Sequence, residues 1–293
     1  MRQFFLSLMI LMMMTLMASC SKKGDDYTLF TDPAFKKCVQ SLDKKFVDIK
    51  KLDCSNTDET LKENPFGEST IKSISGLSKL VNLEKLELRR NKISDIKPLT
   101  NLAHLSYVDL SNNEITHIKP LSTLPSIKTI ILKHNLIGDL RPLQGIKTLE
   151  VLDMSENSLQ GLIDFDGMPL KKLSIDSNHI SSIEKVGKIS TLEEFSAADN
   201  AIIDIFHLEP LQKLKKLNLR KNRIDDLIVI GKMPHLEEFD ISDNQVRVIT
   251  SLKNHPGLKK LNVYINAIVD FSPLESIEKS GQLKTEGKKG QGN

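Results

Sequence analysis

Three residue types in this chain could carry chemistry, and their spacing argues against most of it. The cysteines are Cys20, Cys38 and Cys54, all in the first fifth of 293 residues, and their separations fit no zinc pattern. They could take a covalent modification or bond to one another, but they do not outline a metal cage. The seven histidines (His104, His117, His134, His179, His207, His235 and His255) are scattered, and the pattern puts them at variable surface positions. No HExxH pair, nucleophile elbow or glycine-rich phosphate loop is present. Asp164-Phe165-Asp166-Gly167 is faintly like a calcium loop but far shorter than the roughly 12 residues such a loop needs. The expectation is a chain with no catalytic residues, no cofactor and no metal, acting through its surface rather than as an enzyme.

Composition narrows what that surface meets. Hydrophobic residues make up 39%, enough for a sizeable core, while aromatics are 5% and Trp is absent, so Leu and Ile must supply the burial. Forty-one Lys and Arg against 38 Asp and Glu leave a net charge of +3, close to balance at this length. Nothing in that balance calls for a nucleic-acid or anionic-membrane partner.

The N-terminus reads as an address. Arg2 precedes a fifteen-residue apolar run, Phe4 to Ala18, followed by small residues, which is the layout of a secretory signal peptide over residues 1–19. A membrane-spanning helix needs roughly 20 apolar residues. Met17-Ala18-Ser19-Cys20 resembles a bacterial lipobox, with Met17 where Leu is usual. The resemblance implies that Cys20 is lipid-modified, begins the mature chain and attaches it to a membrane. A plain signal peptide cut near Ala18, leaving Cys20 a free thiol, is the alternative. Residues 20–29, with the polar run SKKGDD, suit a flexible tether. In Gram-negative lipoproteins Ser rather than Asp after the Cys favours the outer membrane, and Ser21 stands there.

The elements that position everything else come from a repeat. Asn recurs at Asn91, Asn113, Asn135, Asn157, Asn178, Asn200, Asn222, Asn244 and Asn266, every 22 residues except the 21 from Asn157 to Asn178. Each closes a phrase such as LEKLELRRN, LSYVDLSNN or LKKLNLRKN, whose residues alternate inward and outward as a short strand requires. One strand per turn, stacked on its neighbours, makes a parallel sheet and lets successive repeats share one core. The Asn side chains point inward, satisfying backbone groups where the chain bends away, and so form a structural ladder. The return half, as in ISDIKPLTNL, predicts extended chain and 3₁₀ turns, with a bulge or change of curvature where a residue is missing.

The 22-residue phrase with IxxIxPL behind it resembles the repeats of internalin-type bacterial surface proteins over residues 83–275. The phosphatase-1 regulatory subunit of eukaryotes shares the repeat length. The resemblance implies an α/β solenoid, a leucine-rich-repeat horseshoe with a concave parallel sheet that binds proteins. Residues 30–46, with an Asp-Pro helix start at Asp32 and Pro33 and Phe35, Cys38, Val39 and Leu42 on one face, resemble the capping helix of bacterial proteins of this kind. Residues 47–275 then hold one degenerate repeat and nine clear ones. In the degenerate repeat Thr57 takes the Asn place, and TDETLKENPFGEST forms an inserted loop. Cys38 and Cys54 both face inward on elements that touch. In an oxidising compartment they could pair; unpaired, they would be two small buried hydrophobes. Residues 276–293, rich in Lys and Gly, predict a disordered tail.

The third, fifth and seventh positions of each phrase face out on the concave side. The fifth column is polar throughout except for Ile131. With Tyr107, Thr129 and Val151 from the third column, Ile131 forms an apolar cluster on three successive strands. Lys133, His134, Asp109 and Asp153 stand beside it, and the eight residues are the expected contact site of a monomer. Further on, Lys171-Lys172, Glu193-Glu194, Lys215-Lys216, Glu237-Glu238 and Lys259-Lys260 alternate in sign, a pattern that sets opposite charges on adjacent strands.

Overall fold

The computed structural model describes residues 25–57 and 70–289. The signal peptide, Cys20, the start of the tether and nearly all of the inserted loop lie outside these residues. Eleven three-residue strands form one parallel sheet in sequence order. They are β1 Lys51–Asp53, β2 Lys85–Glu87, β3 Tyr107–Asp109, β4 Thr129–Ile131, β5 Val151–Asp153, β6 Lys172–Ser174, β7 Glu194–Ser196, β8 Lys216–Asn218, β9 Glu238–Asp240, β10 Lys260–Asn262 and β11 Lys284–Glu286. The fold is the leucine-rich-repeat horseshoe. Strands are this short because each phrase has one inward aliphatic between two outward residues before the chain turns. The inward residues stack in register, Leu86 on Val108 on Ile130 on Leu152, and all are fully buried. Burying such a side chain stabilises by about 1.5–3 kcal/mol.

On the return side 3₁₀ turns such as Lys97–Leu99, Lys119–Thr123 and Arg141–Leu143 carry Pro near their starts, where no N–H is needed. The 21-residue repeat between β5 and β6 has no such turn. Phe165 there fills the core column held by Leu99, Leu121 and Leu143, and a single turn bond joins Met168 N to Phe165 O at 3.0 Å. Its neighbour Asp164 makes an ion pair with Lys188 at 3.3 Å. Among the described residues no group of three or more His, Cys, Asp or Glu is arranged to hold a metal.

The Asn ladder fixes the bend after each strand from β2 to β10. Asn135 Nδ2 donates to Leu110 O and Leu132 O, both at 3.0 Å, while its Oδ1 accepts from Ile115 N at 3.0 Å. Asn113, Asn157 and Asn222 repeat the pattern on their own neighbours. At the N-terminal end it is Asn56, not Thr57, that reaches in, donating to Asn91 Oδ1 at 2.9 Å. The residue before each Asn takes a left-handed backbone: Arg90, Asn112, His134, Glu156, Ser177, Asp199, Lys221, Asp243 and Ile265 have φ between 49° and 58°.

Both ends of the core are closed. Helix α1, Pro33–Gln40, starts at Asp32, whose Oδ1 accepts from Phe35 N at 3.0 Å and whose Oδ2 accepts from Lys72 N and Ser73 N at 2.8 and 3.1 Å. One carboxylate thus caps the helix and ties it to the return half of the degenerate repeat. Rings of Tyr27, Phe30, Phe35 and Phe46 cluster beneath, and Cys38 and Cys54 are joined, their Cα atoms 5.9 Å apart.

The C-terminal tail departs from its expected disorder. Residues Glu275–Lys279 form helix α2, and β11 pairs with β10, Lys284 N meeting Lys259 O at 2.9 Å. The reason is packing: Ile277 and Leu283 are buried over the last repeat, so two apolar residues in a Lys- and Gly-rich stretch suffice to close the core. Gln282 Nε2 also donates to His255 O and Pro256 O at 3.0 and 3.1 Å. His255 itself is a second departure. It is 2% exposed, standing eleven residues after Asn244 in the core column of Leu102, Leu124 and Leu211.

Candidate functional site

The sheet brings the apolar quartet together. Tyr107, Thr129 and Val151 stand side by side across β3, β4 and β5, with Ile131 in the next column between Asp109 and Asp153. All four are half-buried, because strands packed side by side shelter each other's outward residues. Burial raises the Tyr107 phenol above its ordinary pKa. Lys85 lies over its ring, 4.7 Å from the centroid.

The polar flank is more tightly tied than its residue types suggest. Asp109 is a correction: it is only 4% exposed and is not a free contact residue. Its Oδ1 accepts from Ser111 N and Ser111 Oγ at 3.0 and 2.6 Å, and Oδ2 meets Arg89 at 3.3 Å. Arg89 also reaches Glu87 at 3.0 Å and Asp53 at 3.9 Å, so one guanidinium gathers three carboxylates from three strands. Burial disfavours its charge, but Asp109, Glu87 and Asp53 outweigh that and hold its pKa up. On the other flank Lys133 and His134 both turn to Glu156, at 3.0 and 2.9 Å. Hydrogen bonds from Lys133 and then His134 keep the Glu156 carboxyl below its usual pKa. Asp153 is half-buried and accepts from Ser155 N at 2.9 Å.

Arg89, Glu156 and Asp176 belong to this face and escaped the sequence reading. Asp176 is pushed up in pKa by burial, although Ser196 Oγ and Ala198 N donate to it at 2.6 and 2.7 Å. A column reading could have found Arg89, since Asp53, Glu87 and Asp109 occupy consecutive places in the fifth column beside it. No comparable signal marks Asp176.

From Ile131 and Val151 a groove of about 560 Å³ runs along the concave sheet towards β11. One wall carries Lys172, Glu194, Lys216, Glu238 and Lys260 in alternation. These pair across strands: Lys172 with Glu194 at 3.0 Å, Lys216 with Glu238 at 3.8 Å, Lys260 with Glu238 at 3.3 Å. Outside them Lys171, Lys215 and Lys259 meet Glu150, Glu193 and Glu237 at 2.6, 2.8 and 2.9 Å. The lysines are exposed and the glutamates half-buried, and pairs so open to solvent contribute roughly 0–1 kcal/mol each. The wall is charge-satisfied and fixes register; the apolar end of the groove is where dehydration on binding is cheapest.

The nine ladder Asn serve the backbone and face away from this surface. Cys38 lies in the capping helix and Cys54 directly after β1, and Cys20 is outside the described residues. No helix among the described residues is long and apolar enough to cross a membrane.

Comparison with known proteins bears on the fold. Leucine Rich repeats (2 copies) match residues 81–126, and a single Leucine Rich repeat matches 211–231. No curated protein matches the chain by sequence. Internalin InlF of Listeria monocytogenes is similar at a TM-score of 0.82 and 23% identity, over 90% of this chain and 77% of that one. Internalin C2 of the same organism is 27% identical with a TM-score of 0.58, over 83% and 96%. The functional domain of InlJ from Listeria monocytogenes is 18% identical with a TM-score of 0.62, over 89% and 61%.

Proposed function

We propose that this leucine-rich-repeat horseshoe is a non-enzymatic, protein-binding lipoprotein of the bacterial cell envelope, adhesin-like and held at the membrane through Cys20. The observation that carries the binding role is the contiguous apolar quartet at the head of the concave groove. Scattered exposed apolar residues are ordinary, but four on three neighbouring strands, ringed by tied charges, form the kind of patch that concentrates binding energy. Tyr107 supplies the aromatic anchor, already oriented by Lys85. The Arg89 and Glu156 networks hold the rim rigid, so little side-chain entropy is lost on contact. Asp109 acts through Arg89 and does not itself touch a partner.

The anchor rests on the lipobox-like Met17-Ala18-Ser19-Cys20, and the outer-membrane location on Ser21. Several acyl chains, at about 0.8 kcal/mol per buried CH₂, would hold the chain durably at a bilayer.

The binding role is tested with partners captured by the purified chain and identified. Tyr107→Ala with Ile131→Asp should weaken such a partner at least tenfold, or about 1.4 kcal/mol, with thermal stability little changed. Binding that survives this pair but fails when Glu193 and Lys216 are neutralised would move the site to the other half. The anchor is tested separately: Cys20→Ala should move the chain from the membrane fraction to the soluble one. Protease shaving of intact cells then separates an exposed adhesin, which is removed, from a periplasm-facing scaffold, which is not.

A further inference from the structure

A second surface, away from the concave sheet, departs from the repeat pattern in a way the fold does not require. On the flank where the chain leaves the Asn ladder, Ile203, Phe206 and Ile228 are 57%, 58% and 64% exposed. They line a hollow of about 510 Å³ between two consecutive repeats, with Asp204, Asp225 and Asp226 around it. The chain contains its own control. Phe206 and Ile228 stand six residues after Asn200 and Asn222, and the same place after Asn91, Asn113 and Asn135 is held by Lys97, Lys119 and Arg141. Three residues after Asn, where Ile203 stands, the first repeats have Ser94, Thr116 and Gly138. In each of these repeats a 3₁₀ turn begins at the residue six after Asn, so the column accepts polar residues and the core does not require the apolar ones.

The rim says what fits. Asp204 and Asp226 each use Oδ1 to accept a backbone N–H, from Phe206 at 2.9 Å and Ile228 at 2.7 Å, which fixes both carboxylates beside the apolar residues. Of the five charged groups lining the hollow, only Glu209 and Lys232 form an ion pair with each other among the described residues, at 3.0 Å. Three carboxylates therefore remain uncompensated around an apolar notch. An anionic lipid surface is repelled by that rim, and a neutral apolar patch would leave it unmatched.

We propose that this flank is a second docking site, for a protein segment that inserts an aliphatic or aromatic side chain between Phe206 and Ile228 and sets Lys or Arg beside Asp204, Asp225 and Asp226. It lies on a different face from the concave quartet, so it does not depend on the function proposed above. One chain could then hold two partners, or one partner at two places.

The test uses residues 20–293 with Cys20→Ala, so that no attached lipid draws the chain to a bilayer, and three probes: a fluorescein-labelled amphipathic Leu/Lys peptide, the same peptide with Glu for Lys, and phosphatidylglycerol vesicles. Phe206→Lys with Ile228→Lys copies what the first repeats carry, so the variant should fold. The Leu/Lys peptide should bind by anisotropy, at least tenfold more weakly to this variant and severalfold more weakly to Asp225→Asn with Asp226→Asn. Ile131→Asp should leave it unchanged. The proposal is overturned if the Glu peptide binds equally well, if the vesicles bind while the Leu/Lys peptide does not, or if the double Lys variant binds like the parent. Sedimentation showing self-association that the double Lys variant abolishes would also overturn it, assigning the flank to a second copy.

Discussion

Replacing Asn135 by Ala probes what holds the horseshoe together. The side chain makes three bonds at 3.0 Å, to Leu110 O, Leu132 O and Ile115 N, and a weaker one to Lys133 O at 3.4 Å. It is buried, and so are Leu110, Leu132 and Ile115. Ala leaves the Ile115 N–H without a partner in a space that the neighbouring repeats close off, and takes one of two donors from each carbonyl, Leu110 O keeping Asn113 Nδ2 at 2.9 Å and Leu132 O keeping Asn157 Nδ2 at 3.0 Å. A buried group stranded in this way costs about 1–3 kcal/mol. With one N–H stranded, two carbonyls weakened and the amide's own desolvation cost removed, the loss should be about 2 kcal/mol. Asn135→Asp sharpens the reading. It keeps an oxygen for Ile115 N but faces two carbonyls with a carboxylate, so it should be at least as harmful near neutral pH. Urea unfolding followed by far-UV circular dichroism measures the effect. Because each repeat rests on its neighbours, a lesion in the middle should also broaden the transition by uncoupling the two halves. A loss below about 0.5 kcal/mol for Asn135→Ala would refute the ladder argument, since surface substitutions fall within that range.

Three further outcomes follow from the ends of the solenoid. Cys38→Ala with Cys54→Ala opens a link across 16 residues of sequence and should cost about 3 kcal/mol, and non-reducing peptide mapping should recover the two cysteines as one linked pair. His255 is held neutral, its pKa lowered by burial, with Nδ1 accepting from Gly257 N and Leu258 N and Nε2 facing Ile230 O. The unfolded chain takes up that proton near pH 6.5, roughly the free imidazole value, and the folded chain only at lower pH. Stability is therefore full above that value and falls as the pH drops through it; His255→Leu should remove this part of the slope between pH 7.5 and 5, and an unchanged slope would show the ring is not buried. Ile265 is β-branched at φ 51°, so Ile265→Asn should raise the urea midpoint by about 1 kcal/mol equivalent, and a fall would mean its side chain packs.

What the sequence made legible was whatever recurs. The Asn spacing and the inward aliphatics define the same turn nine times over, and strand, register and ladder follow from that alone. The concave columns were legible for the same reason, which is why Tyr107, Thr129, Ile131 and Val151 meet. The misreadings share a cause: residues were judged by type where their column decided the outcome. His255 looked like a surface histidine, yet eleven residues after its Asn is a core place in every other repeat. Ile277 stands eleven residues after Asn266, in that same column, so the tail's Lys and Gly hid one more turn. Asp109 looked available because its partner Arg89 comes from the preceding repeat, 20 residues earlier, and only a reading across neighbouring columns finds such a bond. The left-handed residue before each Asn left no trace either, since Arg, His, Glu, Lys and Ile all occupy it and the ladder imposes the conformation from outside. In a solenoid, then, the column sets what a residue must do, and a residue that its column does not call for is under some other demand. Phe206 and Ile228 stand where Lys97, Lys119 and Arg141 are equally acceptable to the fold, and a docking partner supplies such a demand.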